Sequence, residues 1–214
     1  MTCGETYIKR FSAWLPGQGN PELAFTDPLF RRRLSQISKM TIQVVHGLMP
    51  LSEDTKIVFL SFRGELLRQY KINRMLIEEG TITPAAFSFS VFNAPAALAS
   101  MALNLKGGYS AIYPGENSFN TGIKTACAAL HSGAREELVF VYADEEVPAE
   151  YAPLFSEPPP PFAFALLLSR KSGPVSLSSL NEAGKTCKAE TCEVQTPLDF
   201  LNSLLLCGEL HVQS

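Results

Sequence analysis

Long hydrophobic runs are missing from this chain, and no stretch approaches the roughly 18 consecutive apolar residues that a membrane-spanning helix needs. The opening residues, MTCGETYIKRFSAWLPGQG, put Glu5 and polar interruptions where a secretory leader would carry an unbroken apolar segment, so a cytoplasmic location is expected. An excess of one charge is missing as well. Lys and Arg total 18 against 21 Asp and Glu, a net of −3, which offers no overall electrostatic footprint for nucleic acid or an anionic membrane. The 5 cysteines (Cys3, Cys127, Cys187, Cys192, Cys207) are odd in number and scattered, which fits a reduced compartment better than a disulfide framework. Cys187 and Cys192, as C-x4-C, would make half a zinc site, but no second pair completes it and the chain has only 3 histidines. Unpaired thiols are the simpler reading, and no metal or cofactor is expected.

What is present describes an ordinary globular protein. With 46% hydrophobic and 18% charged residues over 214 positions, one sizeable core and a single domain spanning 1–214 are expected. TYIKRFSAWL reads as a strand ended by Pro16-Gly17. Asp27-Pro28 then gives an N-cap and first-turn proline for one long helix whose Phe30, Leu34, Ile37, Val44, Val45 and Leu48 share a face. KIVFLSF is a continuous apolar run, expected as a strand buried on both faces in the middle of a sheet. Residues 63–79 form the next helix, with Leu66, Tyr70 and Ile77 on one side and Gly80 as its stop. From residue 81 an extended, proline-marked segment leads into a small-residue helix that starts near Pro95 and ends at Gly107-Gly108.

The stretch YSAIYPGENSFNTGIKTACAAL, residues 109–130, has the outline of a catalytic elbow: a short strand, a Pro-Gly turn, then an amphipathic helix. ELVFVYADE follows as a buried strand. Between residues 145 and 161 the prolines at 148, 153 and 158–161 rule out regular structure and indicate a long surface loop. FAFALLLSR and GPVSLSSL read as strands and PLDFLNSLLL as a closing helix. The alternation of strands and helices predicts an α/β fold with helices layered on a mostly parallel sheet.

A nucleophile is commonly seated between a strand and a helix N-terminus, where unpaired amides stabilise a thiolate or oxyanion. Here that position holds Glu116, Asn117 and Ser118, with no histidine nearby in sequence. Capping is the plain role for Glu116 and Asn117. Cys127, in the suggestive tripeptide TAC, sits about three turns from the helix start and at the edge of the stripe formed by Phe119, Ile123, Ala126 and Leu130. His131 follows it at i+4. A small core thiol is the common case for such a cysteine. An independent acyltransferase or thioesterase using Cys127 and His131 is the alternative that these residues leave open.

The run FLSFRGELLRQY…TPAAFSFSVFNAPAALASMALNLKGGYSAIYPGENSFNTGIKTACAALHSGAREELVFVYADE resembles the N-terminal half of a β-ketoacyl synthase, and specifically the short chain length factors of the aryl polyene type. The resemblance covers roughly residues 55–146, and the flanking strands at 5–14 and 162–180 agree with it in order and character. It implies half of a thiolase-like fold, with helices on a mostly parallel five-stranded sheet. In that family a cysteine opening the elbow helix carries the acyl chain. Aligned through Gly107-Gly108 and ELVFVYADE, Glu116 takes that cysteine's place, and a carboxylate cannot form the thioester. The family's catalytic histidines lie in a second half, and His46, His131 and His211 stand in no comparable context.

The resemblance therefore implies a non-catalytic subunit of a ketosynthase complex. Such a subunit pairs with a full-length β-ketoacyl synthase as a heterodimer, meets an acyl carrier protein transiently, and shapes an acyl tunnel in polyketide, aryl polyene or fatty-acyl elongation. It further implies tunnel-wall positions at Phe87, Phe89, Phe92, Ala96 and Met101, and a partner-interface strand at Tyr109, Ser110, Ala111, Ile112 and Tyr113. Arg31-Arg32-Arg33 is either a solvated helix face or a contact for the acidic carrier. A homodimeric acyl-binding protein would be well behaved alone, whereas poor solubility is expected of an unpartnered subunit.

Overall fold

The fold is that of a computed structural model describing residues 5–113, 118–133, 135–178 and 196–207. Six strands form one sheet: β1 (Tyr7–Trp14), β2 (Ile57–Leu60), β3 (Tyr109–Ile112), β4 (Glu137–Asp144), β5 (Phe162–Ser169) and β6 (Val175–Ser176). Their order is β3-β2-β4-β5-β1-β6. β3, β2 and β4 are parallel neighbours, while β5 runs against both β4 and β1, and β6 against β1. Four strands thus share one direction, and the expected five strands are joined by the two-residue β6 at the far edge.

Both faces of the sheet are covered, and the period of two along each strand sorts small from large residues. Ala143, Ala163 and Ala165 point to one face, with Phe59, Val139, Val141 and Leu167, and accept close packing by α2 (Gln36–His46) and α5 (Ala94–Ala102). Phe140, Tyr142, Phe162 and Phe164 point to the other, under α6 (Ser118–Ser132) and the C-terminal helix Pro197–Leu206, labelled α7. Phe119 of α6 is the hub there, with ring centroids 5.2 Å from Phe200, 6.0 Å from Tyr142 and 6.2 Å from Phe164 in edge-on geometry. α7 opens with a capping box in which Thr196 and Asp199 satisfy each other's backbone amides.

Four local expectations are corrected. The single helix expected from Asp27 is two: α1 (Pro28–Arg31), capped by Asp27, and α2, capped by Ser35. A second cap takes over because the hydroxyls of Ser35 and Ser38 donate to the buried Glu65 carboxylate, both at 2.7 Å, which anchors the α2 start to the turn after β2. The segment expected to be extended contains a helical turn, α4 (Pro84–Phe87), because Thr83 caps it and Pro84 is preset for N1. The following helix ends at Ala102, before Gly107-Gly108, and the proline-rich loop holds a 3₁₀ turn at Ala152–Leu154. α3 (Leu66–Glu79) stops at the left-handed Gly80 as expected, but buries only Ile72 and leaves Ile77 83% exposed.

Candidate functional site

Two features stand out, the first at the C-terminal ends of β2 and β4, where open α/β sheets present their functional groups. One is a buried polar clasp. Asp144, at the end of β4, accepts from the Ser61 hydroxyl at 2.6 Å, from the amides of Phe62 and Arg63 at 3.1 and 3.0 Å, and from the Tyr142 hydroxyl at 2.6 Å. Arg63 Nη2 adds an ion contact at 3.5 Å. The carboxylate therefore ties β2 to β4 and fixes the turn that starts α3. Burial, and then the Asp144 charge, push the Tyr142 hydroxyl well above its ordinary pKa, so it stays a donor. Gly64 in this turn has φ +57, and a Cβ there would stand 2.6 Å from the Phe92 ring. Only glycine combines that conformation with that approach.

Next to the clasp, Glu65 bridges Ser35, Ser38 and Arg68, whose Nε lies 3.2 Å from Oε2. Arg68 also donates to the Arg33 carbonyl at 2.9 Å. The guanidiniums of Arg33 and Arg68 stand 4.9 and 5.9 Å from the Phe89 ring centre. Glu145 is fully buried, and its Oε1 accepts from the Leu67 amide at 2.8 Å. Burial is the main reason its carboxyl is raised to about 7, with the Glu65 charge adding to it while the Leu67 and Ile37 amides and Arg68 act in the opposite sense. Of these, Arg33, Ser35, Leu67, Arg68, Phe89 and Glu145 line a cavity of about 580 Å³ together with Arg32, Leu34, Gln36 and Lys71.

The second feature is the free long side of β3. This strand pairs with β2 in the register Ile57↔Tyr109 to Leu60↔Ile112 and ends the sheet, so its other edge meets no strand among the described residues. Tyr109, on the strand, and Tyr113, just after it, are exposed, as are Phe87 at 59%, Val91 and Met101 at 72% in the segments that precede it. Ser110, Ala111 and Ile112 are half-buried. Asn93 Nδ2 donates to the Tyr109 hydroxyl at 3.1 Å, and Phe92 bridges from Phe59 to Tyr113 at centroid distances of 6.0 and 5.2 Å.

The expected site residues divide accordingly. Phe92 and Tyr113 come together, with Tyr109 linked through Asn93, while Ala96 is buried in the α2–α5 core and Phe89 faces the basic cavity instead. Glu116 and His211 lie outside the described residues, as do Cys3, Cys187 and Cys192. Cys127 is 7% exposed and packed within the core cluster under α6, and neither it nor His131 lines a described cavity. His131 Nε2 lies 3.0 Å from Thr6 Oγ1. Among the described residues no cluster of His, Cys, Asp and Glu has metal-binding geometry, and no helix is long and apolar enough to cross a membrane. The Asp144 clasp and the Glu145 cavity were missed from the sequence. The pair SFRGE and ADE, charges set directly at the ends of apolar strands, was the available signal.

A mixed six-stranded sheet that ends in β3, with helices on both faces, is a layered α/β fold. The profile of the β-ketoacyl synthase N-terminal domain family matches residues 8–211, and the chain belongs to that family. Its structure is similar to a chain from the complex of a ketosynthase (ApeO) with its chain length factor (ApeC) from Xenorhabdus doucetiae, with a TM-score of 0.67 and 26% identity over 79% of this chain and 80% of that one. The ishigamide ketosynthase/chain length factor gives a TM-score of 0.61 at 14% identity over 78% of this chain and 62% of that chain. A type II polyketide synthase acyl-carrier protein in complex with its ketosynthase gives 0.59 at 11% identity, over 79% and 64%. These last two show the shared fold. No curated protein matches the chain.

Proposed function

We propose that this chain is a chain length factor-type subunit, itself non-catalytic, which pairs with a complete β-ketoacyl synthase and shapes the acyl tunnel used in polyketide, aryl polyene or fatty-acyl elongation. The observation that carries this reading is the β3 edge, which meets no strand among the described residues and has exposed Tyr109 and Tyr113 at its ends. A bare edge with such neighbours is an aggregation hazard unless another chain covers it. Near-equal coverage of this chain and its match in the ketosynthase–chain length factor complex, 79% and 80%, supports the same reading, since the two chains are of similar length.

In this reading the strand Tyr109 to Tyr113 continues the partner's sheet. Phe87 and Met101 reach toward the partner, Phe92 and Ala96 brace them from behind, and Phe89 closes the wall on the side of the basic cavity. The bulk of these side chains limits chain extension, because each further methylene gains about 0.8 kcal/mol by burial only while space remains. In the alignment to the family Glu116 takes the nucleophile's place, and a carboxylate leaves the condensation to the partner. Exposed Arg32 and Arg33 present positive charge to an acyl carrier protein during delivery. The core placement of Cys127 speaks against an independent thiol enzyme.

The test is co-expression of the tagged chain with a full-length ketosynthase, followed by incubation with an acyl thioester and mass spectrometry of both chains. The expected result is a stable complex of the two with acyl label on the ketosynthase alone. A label on Cys127, or a soluble chain that ignores the ketosynthase, would overturn the reading.

A further inference from the structure

Edge strands are commonly protected by charged side chains that discourage a second strand. β3 has no such protection. Residues 80–105 and 107–113 contain no Asp, Glu, Lys, Arg or His, and the one charge between them, Lys106, is held by Glu53 at 2.6 Å. A segment without charge that exposes Tyr109, Tyr113, Phe87 and Met101 has the composition of an interface centre, where charged residues are depleted and aromatic residues and Met enriched. A charged residue on a strand laid against this edge would lose its hydration and gain no counter-charge.

The period of two along β3 places Tyr109, Ala111 and Tyr113 on the side of α2 and α5, and Ser110 and Ile112 on the side of α6. Both rings are held by consecutive residues at the α5 start: Asn93 Nδ2 donates to the Tyr109 hydroxyl at 3.1 Å, and Phe92 meets Tyr113 edge-on with ring centres 5.2 Å apart. Rings ordered before binding lose less entropy on association. Between them Ala111, half-buried, offers only a methyl group. Antiparallel pairing is the commoner way to extend a sheet. In such a pair the residue opposite Ala111 has its Cβ about 5 Å away, with Tyr109 and Tyr113 as diagonal neighbours at about 7–8 Å, within reach of aromatic rings. A large apolar side chain opposite Ala111 fills the space that the methyl leaves and is covered from both ends. A small one leaves a void.

We propose, resting on the ketosynthase pairing put forward above, that the ketosynthase strand laid along β3 carries a large apolar residue opposite Ala111, clamped between Tyr109 and Tyr113, and that this contact fixes the register of the pair. A slip by one residue turns that side chain to the α6 side, opposite Ser110 or Ile112 and away from both rings.

Competition for a limiting amount of ketosynthase tests this. The parental chain and a variant, each full-length and with its own tag, are co-expressed with the ketosynthase, and the ketosynthase captured by each is divided by the soluble amount of that chain. Ala111→Phe fills the space on this side and should lower capture about tenfold or more, as loss of a central interface contact implies. Tyr113→Ala, at a position 73% exposed where the fold does not depend on the side chain, should lower it by a similar factor, and Tyr113→Phe, which keeps the ring, should recover most of that loss. If Ala111→Phe and Tyr113→Ala both capture as well as the parent, the clamp is overturned while the pairing with ketosynthase stands. If the parental chain captures no ketosynthase, both are overturned. Capture of one tagged chain by the other in place of ketosynthase would assign the strand to a second copy and overturn the proposal as well.

Discussion

Glu145 makes the stability of this protein fall as pH rises. An acid whose folded pKa exceeds its unfolded value binds more protons when folded. The stability it contributes is fully present below about 4.5 and is lost as pH climbs through about 7. At 1.36 kcal/mol per pKa unit the whole displacement is worth roughly 3 kcal/mol, most of it spent between pH 5 and pH 7.5. Glu145→Gln removes the titration and retains an acceptor for the Leu67 amide. Urea unfolding of both proteins from pH 5 to pH 8.5 isolates the effect, because the other titrating groups cancel in the difference. Relative to its value at pH 5, the stability difference should move in favour of the glutamine variant by roughly 2 to 3 kcal/mol at pH 8.5. A flat difference across that range would show that the carboxyl titrates as an ordinary exposed glutamate, and the reasoning from burial would fail.

Three further outcomes are expected. Phe119→Ala empties the hub of the α6–α7 core and should cost about 3 to 5 kcal/mol in urea unfolding; a loss below about 1 kcal/mol would mean that the aromatic cluster closes over the gap. Asp144→Asn weakens charge-assisted bonds to Ser61, Phe62, Arg63 and Tyr142, so amide exchange at residues 61–64 should accelerate by tenfold or more, on the basis of about 1.5 to 3 kcal/mol for a charged hydrogen bond. Unchanged exchange there would remove the clasp. Tyr113→Asp with Met101→Asp, both at exposed positions, should leave thermal unfolding within about 0.5 kcal/mol of the parent while abolishing recovery of the ketosynthase in co-purification; recovery at the parental level would move the interface elsewhere.

Strands β2, β4 and β5 were legible in the sequence because they are continuous apolar runs buried on both faces, and Gly80 announced a helix end plainly. What the sequence hid depends on contacts between distant segments. The break between α1 and α2 is set by Glu65, some thirty residues away, whose carboxylate holds the hydroxyls of Ser35 and Ser38; the apolar spacing of Phe30, Leu34 and Ile37 carries no trace of it. Burial of Glu145 likewise follows from the meeting of β4 with the starts of α2 and α3. Of the site residues, Phe87 and Met101 are exposed, whereas the Phe89 ring lies 4.9 and 5.9 Å from the guanidiniums of Arg33 and Arg68, a neighbourhood that no spacing in the sequence announces.

The tunnel-shaping role is tested most directly by the product lengths of the reconstituted pair, with Met101 replaced by Ala in one preparation and by Trp in another. Removing volume should lengthen the products and adding it should shorten them, with the ketosynthase recovered in equal amount each time. Identical product lengths in all three preparations, or elongation by the ketosynthase alone with the same product, would contradict the assignment.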